Sequence, residues 1–459
     1  MPELPEVQTA VNYLNRFLPG RSVLNIDTYK RIDSSLEDIS VVGEKISKVH
    51  RHGKYIAVSL ENGFLLCIHL KISGSLTITS KDEDLPRFCV YKLDLSDGNS
   101  LCLIDPRKFI SLTYFASEDD FLDYISSRVG KDALEINEEE LFAKLKKDKR
   151  PIKIALMDQN NVAGMGNIYC NEALFDAKLS PMLPACKVRK EDLAIFLGAN
   201  KFRMETAIVD GIKMGEDLHF HPEEGWMDIS LNVYQKDNTP CPNCRAPIKR
   251  IELGGRGTYF CPRCQKHNDA PFVIGVTGPI HSGKSSVACM LEKDGYIHFD
   301  ADKVAHQFYD TEEGKALCLR LLGGESIKDG KVDLSMIRNR LGNDKSFRKS
   351  LQNAVFSYVR KQARALIKSC GKDESIVLNV PLLVASKMDK LCDYILLVDS
   401  PASLRKNRLE LEGRDAESLM KINSNYPIQK TKEVADCVLH NDSSLDELRS
   451  KLTRLGLLK

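Results

Sequence analysis

The sequence has no apolar run of membrane-spanning length. No basic-then-apolar leader precedes the first charged residues, so no secretory signal is expected. It has no internal repeat and no low-complexity segment. It also has almost no net charge: +2 over 459 residues excludes a uniform polycation, though not a local basic face. Most of its fourteen cysteines stand singly, which does not suit a disulfide framework and points to a reducing cytoplasm. What remains is an ordinary folded composition, 42% hydrophobic and 28% charged, on a chain too long for one core. Two or three domains are expected.

The pattern changes along the chain. Apolar periodicity from Glu6 to Leu18 predicts a helix closed by Pro19 and Gly20. From Ser22 to about Phe115, alternating runs such as "KYIAVSL" and "SLTITS" predict an antiparallel β-sandwich. From Glu138 to about Gly215 the period is helical. From Phe272, apolar strands ("IVLNV", "YILLVDS", "CVLHND") alternate with helices, the sign of a parallel α/β sheet. The polar stretch 266–271 is the boundary. The resulting division is 1–130, 131–235, 236–266 and 272–459.

Four cysteines do cluster. In "CPNCRAPIKRIELGGRGTYFCPRC", Cys241, Cys244, Cys261 and Cys264 form two CxxC pairs sixteen residues apart. Four thiolates fill a tetrahedral zinc shell, so the Zn²⁺ is expected to be structural, with a β-hairpin between the pairs. Lys249, Arg250 and Arg256 on that hairpin suggest contact with phosphate.

The chain opens "MPELPEV". Loss of Met1 would leave Pro2 with a free secondary amine, able to attack a sugar aldehyde carbon and form an iminium. Glu3 and Glu6 stand beside it to move protons; alternatively Pro2 simply starts the chain and Glu6 opens a helix. With "GMGNIYCNEALF" at Gly164–Phe175, then "KLSP" and the cysteine hairpin with "GRGTYFC", residues 1 to about 266 resemble the formamidopyrimidine-DNA glycosylase family. The resemblance implies a β-sandwich, a helix–two-turns–helix domain and a zinc hairpin. It implies an enzyme that flips an oxidised purine (8-oxoguanine, formamidopyrimidine) out of damaged double-stranded DNA and cuts the strand by β,δ-elimination. Pro2 matches the nucleophile, Glu3 the proton-transfer carboxylate and Glu6 a supporting acid. Lys54 matches the phosphate-contacting lysine by the lesion. Lys153, Asn167 and Arg256 match grips on the DNA backbone. The run Lys144–Lys153 is rich in lysine and could neutralise several phosphates.

The residues that fill the gap left by a flipped base depart from the family. Ile72 replaces Met and Lys108 replaces Arg, while Phe109 is kept. Isoleucine can still wedge between bases, but lysine cannot make the forked hydrogen bonds of arginine to the orphaned partner. Arg87–Val90 and residues 213–226 depart as well. The rival reading is an endonuclease VIII-like enzyme for oxidised pyrimidines.

The last region contains "GVTGPIHSGKSS" after an apolar strand and before a helix. Gly278, Pro279, Ile280, His281, Ser282, Gly283, Lys284 and Ser285 read as a P-loop for ATP, with Lys284 on the β/γ-phosphates and Ser285 on Mg²⁺. Asp300 and Asp302 are expected at the end of the next strand, facing the same crevice. With "DADKVAH", "VPLLV" and "ADCVLHND", residues 272 to about 450 resemble dephospho-CoA kinase. The resemblance implies ATP-dependent phosphorylation of the ribose 3′-hydroxyl of dephospho-CoA. Asp302 is then the base, with Asp300 and His306 in the substrate site. Ala385 stands where that family has Glu, the lid arginines Arg405, Arg408 and Arg414 are shifted in spacing, and Asn425 replaces a Gln. The alternatives are a degenerate nucleotide-binding domain and another small-molecule kinase. The whole reads as a bifunctional cytoplasmic fusion of DNA repair and coenzyme A synthesis.

Overall fold

The computed structural model describes residues 2–29, 41–80, 82–214, 231–266, 270–423 and 426–458. Contacts divide the chain into two compact units, Met1–Tyr234 with Ile251–Thr258, and Gln235–Arg250 with Tyr259–Lys459.

The first unit opens with α1 (Leu4–Phe17). It starts two residues before the predicted Glu6, because Glu3 and Glu6 form a capping box and Pro5 suits the first turn. Val7, Ala10, Val11 and Leu14 form its buried stripe. Eight strands follow: β1 (Val23–Thr28), β2 (Ile46–His52), β3 (Tyr55–Leu60), β4 (Leu65–His69), β5 (Ser75–Ser80), β6 (Cys89–Leu95), β7 (Asn99–Ile104) and β8 (Ser111–Phe115). They make two antiparallel four-stranded sheets, β1-β6-β7-β5 and β2-β3-β4-β8. Ile56, Val58 and Ile68 from one sheet pack with Val90, Leu93 and Leu103 from the other, and α1 joins that core. The predicted sandwich is therefore present.

Next, α2 (Glu118–Ser126) packs Phe121 and Ile125 with Ala57, Leu65 and Cys67 of the second sheet. A helical core then forms from α3 (Glu138–Leu145), α4 (Ile152–Met157), α5 (Asn167–Asp176) and α6 (Lys190–Met214). Leu4 of α1 is buried in this second core, with Leu156, Met165, Leu174 and Phe196. The start of the chain is thereby anchored among the helices. The strands β9 (Lys249–Leu253) and β10 (Arg256–Phe260) then form the predicted hairpin about Gly254–Gly255.

The second unit is the parallel α/β domain. Its elements are β11 (Phe272–Thr277), α7 (Lys284–Lys293), β12 (Ile297–Asp300), α8 (Ala301–Gln307), α9 (Glu312–Leu322), the short pair β13 (Ile327–Lys328) and β14 (Lys331–Val332), α10 (Leu334–Asn343), α11 (Lys345–Ser369), β15 (Ser375–Asn379), β16 (Tyr394–Asp399), α12 (Ala402–Leu411), α13 (Ala416–Asn423), α14 (Ile428–Val434), β17 (Cys437–His440) and α15 (Leu445–Arg454). The sheet order is β12-β15-β11-β16-β17, with every neighbour parallel. Val273, Ile376, Leu378 and Ile395 are buried under the helices, as continuous apolar strands require.

Candidate functional site

Two sites emerge, one in each unit. In the first, Pro2 is buried at the entrance to α1. The backbone there is pinned by Leu4, whose N–H donates to the carbonyl of Gly164 at 3.1 Å. The next residue, Glu3, is 1% exposed. Its carboxylate accepts from the N–H groups of Ile168 (2.8 Å) and Tyr169 (3.3 Å). These are unpaired first-turn donors of α5, and a carboxylate is favoured at that end. The approach is possible only because residue 166 is glycine: a Cβ there would lie 2.0 Å from the Glu3 Cδ. "GMGN" therefore serves Glu3 directly.

Glu6 closes the same cluster. It accepts from the Glu3 N–H at 2.7 Å and from the Tyr169 hydroxyl at 3.0 Å. Burial, then the neighbouring Glu3, push its carboxyl up to about 7. Burial also raises Glu3, against the pull of Lys54. Lys54 lies in the turn between β2 and β3 and is itself buried; burial lowers its ammonium while Glu3 and Glu6 pull it back up. The arrangement keeps the proton of Glu6 exchangeable near neutral pH, on a group that would otherwise be fully charged.

The residues expected to grip the DNA backbone are placed more diversely. Asn167 opens α5 and donates to the Gly257 carbonyl at 3.1 Å. Lys153 is 1% exposed and donates to Gly257 O (2.9 Å) and Thr258 Oγ1 (2.8 Å). Burial lowers its ammonium to about 8. It thus props the strand carrying Arg256, which is exposed and lines a cavity of about 270 Å³ with Arg150, Lys153 and Asp158. The basic run is partly neutralised from within. Arg150 pairs with Asp148 and Asp158, and Lys144 donates to the Asn160 carbonyl, leaving Lys146, Lys147 and Lys149 exposed. Lys249, expected to meet phosphate, instead pairs with Asp436 at 2.9 Å.

Ile72 and Phe109 are 41% and 54% exposed. Their turns are tied together by Asp105, which opens the "DPRKF" stretch that also holds Lys108 and Phe109. Its buried carboxylate accepts from the N–H groups of Arg107, Phe109 and Ile110 and from the Ser73 hydroxyl. The Asp105 N–H donates to the Phe88 carbonyl, so Phe88 and its stacked Arg87 join the same rim. Lys108 holds a left-handed φ of 57° there. Glu172, also unanticipated, is 1% exposed and accepts from the N–H groups of Asn232, Val233 and Tyr234 while pairing with Arg203. Of the divergent stretch 213–226, residues 215–226 lie outside the described residues.

The four thiols of Cys241, Cys244, Cys261 and Cys264 lie within 4.8 Å of one another. That is the donor set and spacing a tetrahedral Zn²⁺ needs, and four thiolates leave it no open position.

In the second unit, Gly278–Ser285 curls from β11 into α7. Gly278 takes φ 156°, and a Cβ there would lie 2.2 Å from the Val398 carbonyl. Arg408 braces the loop by donating to His281 O (3.1 Å) and Asn441 O (3.2 Å), and the Asn441 amide donates to Ser282 O (2.8 Å). The adjoining cavity is about 670 Å³ and is lined by Lys284, Ser285, Arg408, Arg414, Asn441 and Leu445 among others. Burial lowers the Lys284 ammonium, while Asp302 and Asp300 raise it.

Asp302 departs from expectation. It is not on the strand: β12 ends at Asp300, and Asp302 lies in the first turn of α8. Asp300, not Asp302, caps that helix, accepting from the N–H groups of Asp302 and Lys303. Asp302 is open to solvent, yet its crevice is dense enough to raise its carboxyl, with Lys284 opposing. The exposed His306 turns its Nδ1 to the Asp302 carbonyl. Arg405 donates to the Ser400 carbonyl, Ala385 is exposed, and Asn425 lies outside the described residues.

Comparison with known proteins finds four family profiles along the chain. Profiles match for the formamidopyrimidine-DNA glycosylase N-terminal domain (residues 1–112), the formamidopyrimidine-DNA glycosylase H2TH domain (129–216), a zinc finger found in FPG and IleRS (239–266) and dephospho-CoA kinase (272–447). The formamidopyrimidine-DNA glycosylase of Mycoplasma mobile is 32% identical over 274 residues, 58% of this chain and 100% of the relative. That of Neisseria meningitidis is 33% identical over 278 residues, again covering 58% and 100%. Lactococcus lactis Fpg, solved in complex with DNA containing an abasic site, superposes with a TM-score of 0.53 at 28% identity, covering 57% of this chain and 99% of that one. A mutant of the L. lactis enzyme, solved with Fapy-dG-containing DNA, gives 0.53 and 28%, covering 58% and 100%. Among the described residues no helix is long and apolar enough to cross a membrane. The chain belongs to the formamidopyrimidine-DNA glycosylase family, and it continues beyond that family's length into a dephospho-CoA kinase domain.

Proposed function

We propose that the chain is a bifunctional cytoplasmic enzyme. Its first half excises oxidised purines from double-stranded DNA and cuts the strand; its second phosphorylates dephospho-CoA with ATP. The observation that carries the first activity is the buried Glu3–Glu6–Lys54 cluster beside Pro2, held on the first turn of α5. After Met1 is removed, the Pro2 nitrogen bonds to C1′ of the flipped nucleotide as the glycosidic bond breaks, and the base leaves with that electron pair. Glu3 supplies the proton that lets the sugar ring open, giving an iminium. The iminium acidifies the C2′ hydrogen, whose loss expels the 3′-phosphate; the resulting conjugated iminium acidifies the C4′ hydrogen, whose loss expels the 5′-phosphate. Lys54, Asn167 and Arg256 hold the phosphates, with Lys153 supporting the last two through Gly257 and Thr258. Ile72, Lys108 and Phe109 enter the duplex where the base has left. The four cysteines hold a structural Zn²⁺ that keeps the hairpin folded.

In the second half, the loop Gly278–Ser285 and Lys284 bind the ATP phosphates; Ser285 and Asp300 would hold Mg²⁺, which would neutralise charge on those phosphates. Asp302 takes the proton of the ribose 3′-hydroxyl, with His306 nearby. Its raised carboxyl supports this role.

Borohydride trapping on lesion-containing DNA tests the first activity. Pro2→Glu, whose bulky second residue keeps Met1 in place, is expected to abolish the covalent adduct while DNA binding persists; undiminished trapping removes the Pro2 amine as nucleophile. ADP release from Mg·ATP tests the second. It should be stimulated by dephospho-CoA and fall roughly 100-fold or more in Lys284→Ala. ATP binding without such stimulation would make this half a nucleotide-binding domain that lacks the transfer.

A further inference from the structure

A parallel sheet has two unlike edges. Every element of the nucleotide site lies past the C-terminal ends of its strands: the phosphate loop after β11, Asp300 at the end of β12, Ser400 after β16 and Asn441 after β17. Chemistry belongs at that edge. The opposite edge, where the strands begin, is occupied by the cysteine-bearing base of the zinc module, residues 235–250 and 259–266, which cluster with this domain.

The contacts there are specific and reach four of the five strands. Just before β17, Asp436 pairs with Lys249 at 2.9 Å, their side chains 10% and 18% exposed, and accepts from the Ile395 N–H at 2.8 Å. Just before β16, Asp393 pairs with Lys266 at 2.5 Å and accepts from the Val273 N–H of β11 at 2.8 Å. Lys249 also donates to the Asp393 carbonyl at 3.0 Å. The buried Tyr394 donates its hydroxyl to Asn238. Arg263 donates to the Asp373 carbonyl ahead of β15 at 3.0 Å. At Gly456, after α15, a Cβ would lie 2.1 Å from the Arg245 carbonyl and 2.8 Å from Pro240.

A domain cut at residue 271 would keep Asp393 and Asp436 and lose both lysines. Two carboxylates that cap strand N–H groups would then face the edge without counter-ions, and leaving one partner of a largely buried pair alone is costly. We infer that the base of the zinc module is a structural part of the kinase domain. In this reading Lys249 and Lys266 complete the N-terminal edge of its sheet, and zinc loading at the cysteines stabilises the ATP-binding half from the side opposite its active site. The inference rests on the kinase reading only where ATP is used as a reporter.

The test uses the full zinc-loaded chain. Thermal unfolding is followed with and without Mg·ATP, and the transition that ATP raises is assigned to the kinase half. Lys249→Met is expected to lower that transition by about 5 °C or more. Adding Asp436→Asn to Lys249→Met should recover at least half of the loss, since the uncompensated charge is then gone. An unchanged ATP-responsive transition in Lys249→Met, or strictly additive losses in the double variant, overturns the inference. Hydrogen exchange on the wild-type chain decides the matter if the variant does not fold. Stripping zinc with a chelator should speed exchange of the Val273 and Ile395 amides together with residues 237–250; unchanged protection at the two strand amides overturns it. If ATP raises no transition, the nucleotide reading fails, and the exchange measurement still judges the interface.

Discussion

Glu6 shows what a single carboxyl gives up for its position. Its folded pKa of about 7 stands above the ordinary 4.5 because it is buried beside Glu3. A raised carboxyl contributes stability that is complete below about pH 4.5 and is lost as pH rises through 7. Glu6→Gln removes the titration while keeping an acceptor for the Glu3 N–H. The stability difference, variant minus wild type, should therefore grow in favour of the variant by roughly 2–3 kcal/mol between pH 4.5 and 8. Urea denaturation at the two pH values reads this directly, and an equal difference at both would remove Glu6 as a buried titrating group. The identity of Glu3, Glu6 and Lys54 was legible in the sequence through their motifs. Their mutual effect on protonation was not, because it depends on burial that only the packed α1, α5 and β2–β3 turn produce. Gly166 was visible as a letter in "GMGN", but its reason, the 2.0 Å approach of Glu3, exists only in the folded chain.

At the level of elements, three turns of the sandwich act as one rim because Asp105 joins them. The exposed Ile72, Phe88 and Phe109 gain nothing from the core, so their placement depends on polar bonds. Asp105→Ala leaves three N–H groups and the Ser73 hydroxyl without their acceptor, a loss of about 2–4 kcal/mol. Cleavage of lesion DNA should fall at least tenfold while binding of undamaged duplex changes little. A fall of both together would mean that Asp105 supports the whole sandwich and not the rim. Alternation in the strands made the two sheets legible. Asp105 was missed because an aspartate in a turn is common, and its value lies in hydrogen bonds to residues up to 32 positions away. Asp302 was misplaced for a related reason: the strand signal could not show that β12 stops at Asp300 and that the next turn is already helix.

On the scale of the whole molecule, the order of architectures was readable because each has its own period: alternating strands, helices, paired cysteines, then apolar strands between helices. The boundary near 266–271 followed from polarity, but contacts draw it elsewhere, with Gln235–Arg250 and Tyr259 onward grouped with the α/β domain. No local pattern announces that Lys249 will meet Asp436, far along the chain. That pair also bears on how such a chain could have arisen. Two genes joined end to end can be parted again so long as each product folds alone. Once Lys249 and Lys266 answer Asp436 and Asp393 across the junction, parting them harms at least one half, and the fusion becomes a ratchet in descent, easier to enter than to leave.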